Sequence, residues 1–305
     1  MRGLPPSLVA LALCASEPCQ AVAQVAAEAA SVVWRPATPL QGSLVVVEVH
    51  PAAGDSVVAV HGELAGEPLH FERGAGRFWA LGGVPLAAQE SAAIRVIIER
   101  ATGTSVALTP SLPVAPRQAP REEVHTRPEF VQPPESLAGR IEAERRLIQG
   151  IKRRAHDTPR LWRGPFARPR PGPVTSGFGV VRLFNGTVQS RHLGVDFAGR
   201  RGAPVRAANR GVVVFAGELY YSGTAVFIDH GAGLVTAYLH LSRTTVAVGD
   251  TVHCGQVIGR VGASGRVTGP HLHWLAAYGT VSVDPLDLLT FDLPAPEVTQ
   301  SDTPR

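Results

Sequence analysis

VRAANRGVVVFAG (205–217), TAVFIDHG (224–231), LVTAYLHLS (234–242) and VGDTVHCGQVIGRVG (248–262) follow one another with only a few residues between them. Each holds a strand-length run of apolar, largely β-branched residues bounded by turn formers, the pattern of antiparallel strands joined by tight turns. Residues 161–290 are therefore read as one all-β domain. Three short segments in it obey a parity rule. RHLGVDFAG (191–199), read as a strand, puts His192, Gly194 and Asp196 on one face and Leu193, Val195 and Phe197 on the other. GPHLHW (269–274) puts His271 and His273 on one face, with Leu272 and Trp274 behind. In LVTAYLHLS, His240 shares a face with Tyr238 while Leu239 and Leu241 turn inward. A helix would align His192 with Asp196 but would set His271 and His273 roughly 200° apart, so strand geometry accounts for more of the pattern.

Two neutral imidazoles and one carboxylate, with a fourth position left open, make the donor set of a hydrolytic zinc site. The carboxylate lowers the net charge of such a site, and the metal brings the pKa of water down toward ~7. Four histidines and one aspartate exceed the three ligands required. The surplus pair is available for proton transfer or for stabilising an oxyanion, because imidazole titrates in the right range.

The array HLGVD, YLHLS and GPHLHW, with GAPVRAANRGVV and VAVGDTVHCGQVIGRVGASG beside it, resembles the lysostaphin-type, LytM-like zinc metallopeptidases that cut peptide bonds in bacterial peptidoglycan. The resemblance covers about residues 165–290. It implies a two-sheet groove open to an extended peptide. It also implies one Zn²⁺ held by His192, Asp196 and His273, with His240 and His271 as the catalytic acid/base and electrostatic pair beside the activated water. FNGTVQSRHLGVDFAG and ESLAGRIEAERRL are most similar to Gram-negative envelope members, which favour D,D-type cross-links. The sequence departs from the family at Thr224, where Asn is common, and at Leu275 and Ala276, where polar residues are common. Relatives that have lost ligands act as regulators of other wall hydrolases, and a catalytically inactive regulator is the alternative reading.

Outward from this domain the chain changes character. Residues 140–182 hold eleven of the 29 basic residues against three acids, while the whole 305-residue chain carries only +4. Leu137, Ile141, Ile148 and Ile151 recur at helical spacing, which predicts a helix over about 136–156. Before it, PVAPRQAPREEVHTRPEFVQPPES reads as a Pro-rich linker, giving a linker region of 115–160. The basic run lacks interleaved aromatics and any nucleic-acid motif, so an anionic envelope surface, or simply a solvated helix face, is expected rather than nucleic acid. Residues 24–114 alternate apolar runs with turns every 10–14 residues, which predicts a small β-sandwich. Its His50, His61 and His70 lie on different runs and read as surface or structural histidines, as do His230 and His253.

At the N-terminus Arg2, the apolar stretch Leu8–Ala15 and the small residues Ala21 and Ala23 read as a secretory signal peptide spanning 1–23. Its removal takes Cys14 and Cys19 and leaves Cys254 alone, read as a buried or free thiol, so no intramolecular disulfide is expected. No later segment has the ~20 apolar residues of a membrane span, and the expected location is the periplasm or cell envelope. Residues 291–305 read as a loose tail. With 32 glycines, 26 prolines and 6% aromatics, the composition fits a mainly β protein. A lipoyl-type carrier shares the hairpin texture of 248–262 but needs a lysine at the hairpin tip, and Lys152 is the only lysine present. No G-x-S-x-G elbow supports a serine hydrolase, and GRVGASGRVTG lacks the strand-to-helix order of a dinucleotide fold.

Overall fold

LVVVEVH forms the strand Leu44–His50, which is buried along almost its whole length. Val45, Val47 and Val49 point into one cluster and Leu44 and Val46 into another, so this unbroken apolar run has a core on each side. In this computed structural model residues 29–74 and 76–291 are described. The predicted signal peptide and nearly all of the predicted tail lie outside them.

Leu44–His50 belongs to a four-stranded antiparallel sheet ordered Ser31–Arg35, Leu44–His50, Arg77–Gly83, Glu72–Gly74. Opposite it lies a five-stranded sheet built on Val57–Leu64 and Ser91–Arg100. Ser91–Arg100 alternates strictly at first, burying Ala92, Ile94, Val96 and Ile98 against the valines of the first sheet. The predicted N-terminal β-sandwich is thus observed. Its outer face, with Trp79 and Leu81 beside Leu44 and Val46, packs on the C-terminal half in one continuous core that includes Trp162, Phe166, Tyr238 and Trp274.

The C-terminal half is a ten-stranded, mainly antiparallel sheet. Its main path runs Val174–Ser176, Val195–Ala198, His271–Tyr278, Leu234–Thr244, Gly223–Gly231, Gly211–Leu219, Thr251–Val252. The register sets Asp196 opposite His273 and Leu239 opposite His273 on its other side. Three strands distant in sequence therefore deliver their polar residues to one spot.

The helix spans Ala138–Arg154, between short 3-10 turns at Glu135–Leu137 and Ala155–Asp157. Ile151 is buried and Ile148 packs beside it on Phe227, Val235, Ala237 and Leu239. Leu275 joins this cluster, so by strand alternation the helix covers the same sheet face that carries His271 and His273. The stretch read as a Pro-rich linker also contains a strand, Arg121–Val124, which pairs in parallel with Val181–Phe184. With Val188–Arg191 these form a separate three-stranded sheet at the edge of the groove. Several cations of the basic run have internal partners: Arg160 with Glu72, Arg140 with Glu144, Arg145 with Glu142, while Lys152 is buried on Ser282. Cys254 is a free cysteine, exposed to solvent. Among the described residues no helix is long and apolar enough to cross a membrane.

Candidate metal centre

Strand alternation works as predicted for GPHLHW: Leu272 and Trp274 are fully buried in the main core while His271 and His273 face the groove. It fails in two places. In RHLGVDFAG one strand ends at Arg191 and the next is Val195–Ala198; His192, Leu193 and Gly194 form the bend between them, and Leu193 is exposed rather than buried. The bend is possible because residue 194 is glycine. A Cβ there would fall against the Trp274 carbonyl oxygen and 2.6 Å from His273 Nε2. The second failure is at His240, whose φ of +63° lies in the left-handed region. This single residue shifts the register, so Tyr238 and Leu241 both enter the main core and Leu239 alone turns to the helix side. His240 therefore does not share a face with Tyr238, whose hydroxyl is buried as the acceptor of the Ala208 N–H. A left-handed conformation at a residue other than glycine costs roughly 1 kcal/mol and is found where surrounding structure holds it, often at functional sites.

The predicted ligands converge. His192 Nε2 lies 3.0 Å from Asp196 Oδ1 and 2.9 Å from His273 Nδ1, and His273 Nδ1 lies 3.0 Å from the same Asp196 oxygen. All three residues are buried, and they are the potential metal-holding group found among the described residues. Two imidazoles and a carboxylate whose donor atoms meet at one point suit Zn²⁺, for which tetrahedral bonds of ~2.0–2.2 Å place ligand atoms roughly 3.3 Å apart. His271 Nε2 is 3.6 Å from Asp196 Oδ1, and the His240 and His271 rings lie 5.1 Å apart, so the remaining pair borders the same point.

Backbone carbonyls set the ring orientation. His192 Nδ1 is 2.7 Å from the Gly177 carbonyl oxygen, His240 Nδ1 2.9 Å from that of Ser264, and His271 Nδ1 2.9 Å from that of Gly269. Each Nδ1–H donates to its carbonyl, which leaves Nε2 with a free lone pair directed at the site. Burial pushes the Asp196 carboxyl upward, but hydrogen bonds to His192 and His273 outweigh it and hold the pKa well below the usual carboxylate range. Burial pushes His273 down to about 4 and, with His273 and His271 nearby, holds His240 well below its ordinary value. All of these shifts favour an ionised carboxylate among neutral imidazoles, the protonation state that binds a cation.

Several neighbours carried no sequence signal. Arg182 donates to Asp196 Oδ2 and to Ser176 Oγ at 2.9 Å. Glu122, from the edge strand, accepts from the same Ser176 hydroxyl and lies 3.6 Å from Arg182. Register explains their meeting, since Glu122 and Arg182 are paired across the parallel strands. The groove beside the centre divides into clefts of about 490 and 230 Å³, and Arg182, Phe184 and Arg266 line both.

Residues 190–285 match Peptidase family M23. The chain is 46% identical over 111 residues to the DD-carboxypeptidase/endopeptidase Mpg of Neisseria meningitidis, covering 36% of this chain and 25% of that protein. It is 43% identical over 102 residues to the peptidoglycan DD-endopeptidase ShyC of Vibrio cholerae, covering 33% and 24% respectively. The matched region thus spans about a quarter of these curated relatives. A crystal structure of an M23 peptidase from Pseudomonas aeruginosa superposes over 83% of this chain and 95% of its own, with 30% identity and a TM-score of 0.63. That correspondence takes in the N-terminal sandwich as well as the groove, and the chain belongs to peptidase family M23.

Proposed function

We propose that this protein is an exported zinc metalloendopeptidase that hydrolyses peptide cross-links of bacterial peptidoglycan, of the D,D type, in the periplasm or cell envelope. The observation that carries the reading is the convergence of His192, Asp196 and His273 donor atoms within about 3 Å of one another at the floor of a groove. Relatives named as DD-endopeptidases support the bond type. In this reading residues 29–114 form an accessory sandwich, and residues 161–290 form the peptidase, with His192 Nε2, Asp196 Oδ1 and His273 Nδ1 as ligands. The exposed Arg146, Arg153 and Arg154 are the cations that an anionic envelope surface would meet.

Zinc, when bound, would supply a Lewis acid for the scissile carbonyl and a lowered pKa for water. The chain's own part is proton transfer and positioning. His240, held neutral by burial, presents Nε2 as a base that takes a proton from the attacking water. The proton taken by His240 passes to the departing amine, and His271, with Nδ1–H fixed on Gly269, stabilises the developing oxyanion in the form that also carries a proton on Nε2. Arg182 holds the outer oxygen of Asp196, which fixes the carboxylate's rotation.

The test is zinc content together with fragment release from purified peptidoglycan. His273→Ala is expected to lose both, because the ligand set falls to two. His240→Ala is expected to keep one zinc per chain and lose about 10²- to 10⁴-fold in turnover. Wild-type turnover in both variants removes the assignment, and a wild-type chain that binds zinc without cleaving supports the regulator instead.

A further inference from the structure

The guanidinium of Arg266 packs against two aromatic rings, with its carbon 4.1 Å from the Phe184 centroid and 4.7 Å from that of Tyr221. It stands where the two clefts meet, one lined also by Asp196 and His271, the other by His192, His240 and His273. Arg182, its neighbour in both clefts, is neutralised by Asp196 and Glu122. Arg266 is not: among the described residues no carboxylate lies within ion-pair distance, and its guanidinium makes no side-chain hydrogen bond. Burial works against its charge, Tyr221 offsets part of this and Arg182 adds like-charge repulsion. A partly desolvated cation beside a second cation is unfavourable unless something anionic meets it. The N–H donors along the edge of its guanidinium find no acceptor among the described residues and are left for a ligand. A carboxylate is the planar acceptor that matches such an edge with two parallel hydrogen bonds.

We infer that Arg266 is a specificity-determining residue that receives a free carboxylate of the substrate peptide next to the scissile amide. The inference rests on the cross-link peptidase reading and deepens it. A D,D cross-link made through a diamino dicarboxylic acid carries such a carboxylate on the carbon that bears the scissile nitrogen. A cross-link made through a simple diamine side chain, or one whose carboxylate is amidated, does not. Arg266 thus selects the acidic form.

The experiment uses the zinc-loaded full chain and two synthetic cross-linked peptides that differ only in having this group as carboxylate or carboxamide. A charge-assisted hydrogen bond lost to the amide predicts that the wild type prefers the acid by about 10- to 100-fold in kcat/KM, mostly through KM. In Arg266→Gln, with one zinc still bound per chain, the ratio is expected to fall to within about threefold of unity. Arg266→Lys, which keeps the charge without the planar fork, is expected to fall between. Equal cleavage of both peptides by the wild type overturns the inference, as does wild-type discrimination surviving in Arg266→Gln. Failure of the underlying reading looks different: a wild-type chain that cleaves neither peptide removes the peptidase assignment and the inference with it.

Discussion

At the scale of the residue, the centre depends on atoms the sequence names and on one that it lacks. The alternation of His271 and His273 with Leu272 and Trp274 is legible because a strand obliges it. The pairing of His192 with Asp196 is legible as a donor set, but its geometry is not, since a bend rather than a strand joins them. The missing atom is the Cβ of residue 194. Gly194→Ala must push His273 Nε2 or the Trp274 carbonyl aside, and both belong to the strand that carries a predicted ligand. The expected result is a loss of about 1–3 kcal/mol in stability and a ten- to hundredfold weaker zinc affinity, read by chelator competition. Unchanged affinity would show that the close approach is irrelevant to the centre. His230 illustrates the opposite case, a histidine correctly read as structural. It is fully buried, with Nδ1–H donated to the Arg210 carbonyl at 2.8 Å and Nε2 2.7 Å from Thr236 Oγ1. Burial lowers its pKa from 6.5 to about 4. The unfolded chain therefore binds a proton that the fold refuses, so this contribution is present above pH 6.5 and is lost as pH falls toward 4. At about 1.4 kcal/mol per pH unit it amounts to about 3 kcal/mol. The stability lost between pH 7 and pH 4, read by urea denaturation, should be smaller by about that amount in His230→Gln; an identical loss excludes the mechanism.

At the scale of the element, helix and edge strand differ in how they could be read. Leu137, Ile141, Ile148 and Ile151 announce the helix by spacing, and Ile151 and Ile148 are the residues that dock it. Arg121–Val124 has no such signal. REEV is a polar run of four residues between prolines, and its strand character comes entirely from the partner Val181–Phe184. Likewise nothing in YLHLS marks His240 as left-handed; the conformation is imposed by the bonds of its N–H to the Ser222 carbonyl and of its ring to Ser264. Because helix and histidines share a sheet face through Leu239 and Leu275, the helix supports one end of the groove floor. Ile151→Ala is expected to lower stability by about 2–4 kcal/mol, as a buried truncation does, while zinc content stays at one per chain. Denaturant unfolding checks the first part and metal analysis the second. Loss of zinc at native-like secondary structure would mean that the helix shapes the centre directly.

At the scale of the whole molecule, the sandwich is joined to the peptidase half by more than its chain connection. Leu44 and Val46 enter the large core, and polar bonds cross the same junction. Glu67 accepts from Thr280 N–H at 2.9 Å and pairs with His156, which in turn meets His70 at 2.8 Å. Neither His70 nor His156 stands out in the sequence, because the contact joins positions 86 residues apart. On the other side of the junction the Leu44 N–H donates to Asp287 Oδ2 at 2.9 Å, and Arg117 pairs with Asp284 at 3.0 Å. Burial, with Asp284 nearby, pushes the Asp287 carboxyl up to about 6. Its folded pKa lies above the unfolded value of about 3.9, so the fold takes up a proton that the unfolded chain releases. The stabilisation is complete below pH 4 and disappears as pH rises through 6, the reverse of the His230 contribution. At neutral pH the ionised Asp287 is therefore a liability that an amide removes while keeping the acceptor oxygen for Leu44. Asp287→Asn is expected to be more stable than the wild type at pH 7.5, by up to about 3 kcal/mol, and to lose that advantage by pH 4. Paired urea titrations at the two pH values decide it. An advantage that persists at pH 4 would assign the effect to packing, and a loss of stability at pH 7.5 would mean that the charge at Asp287 is itself needed to hold the sandwich on the peptidase half.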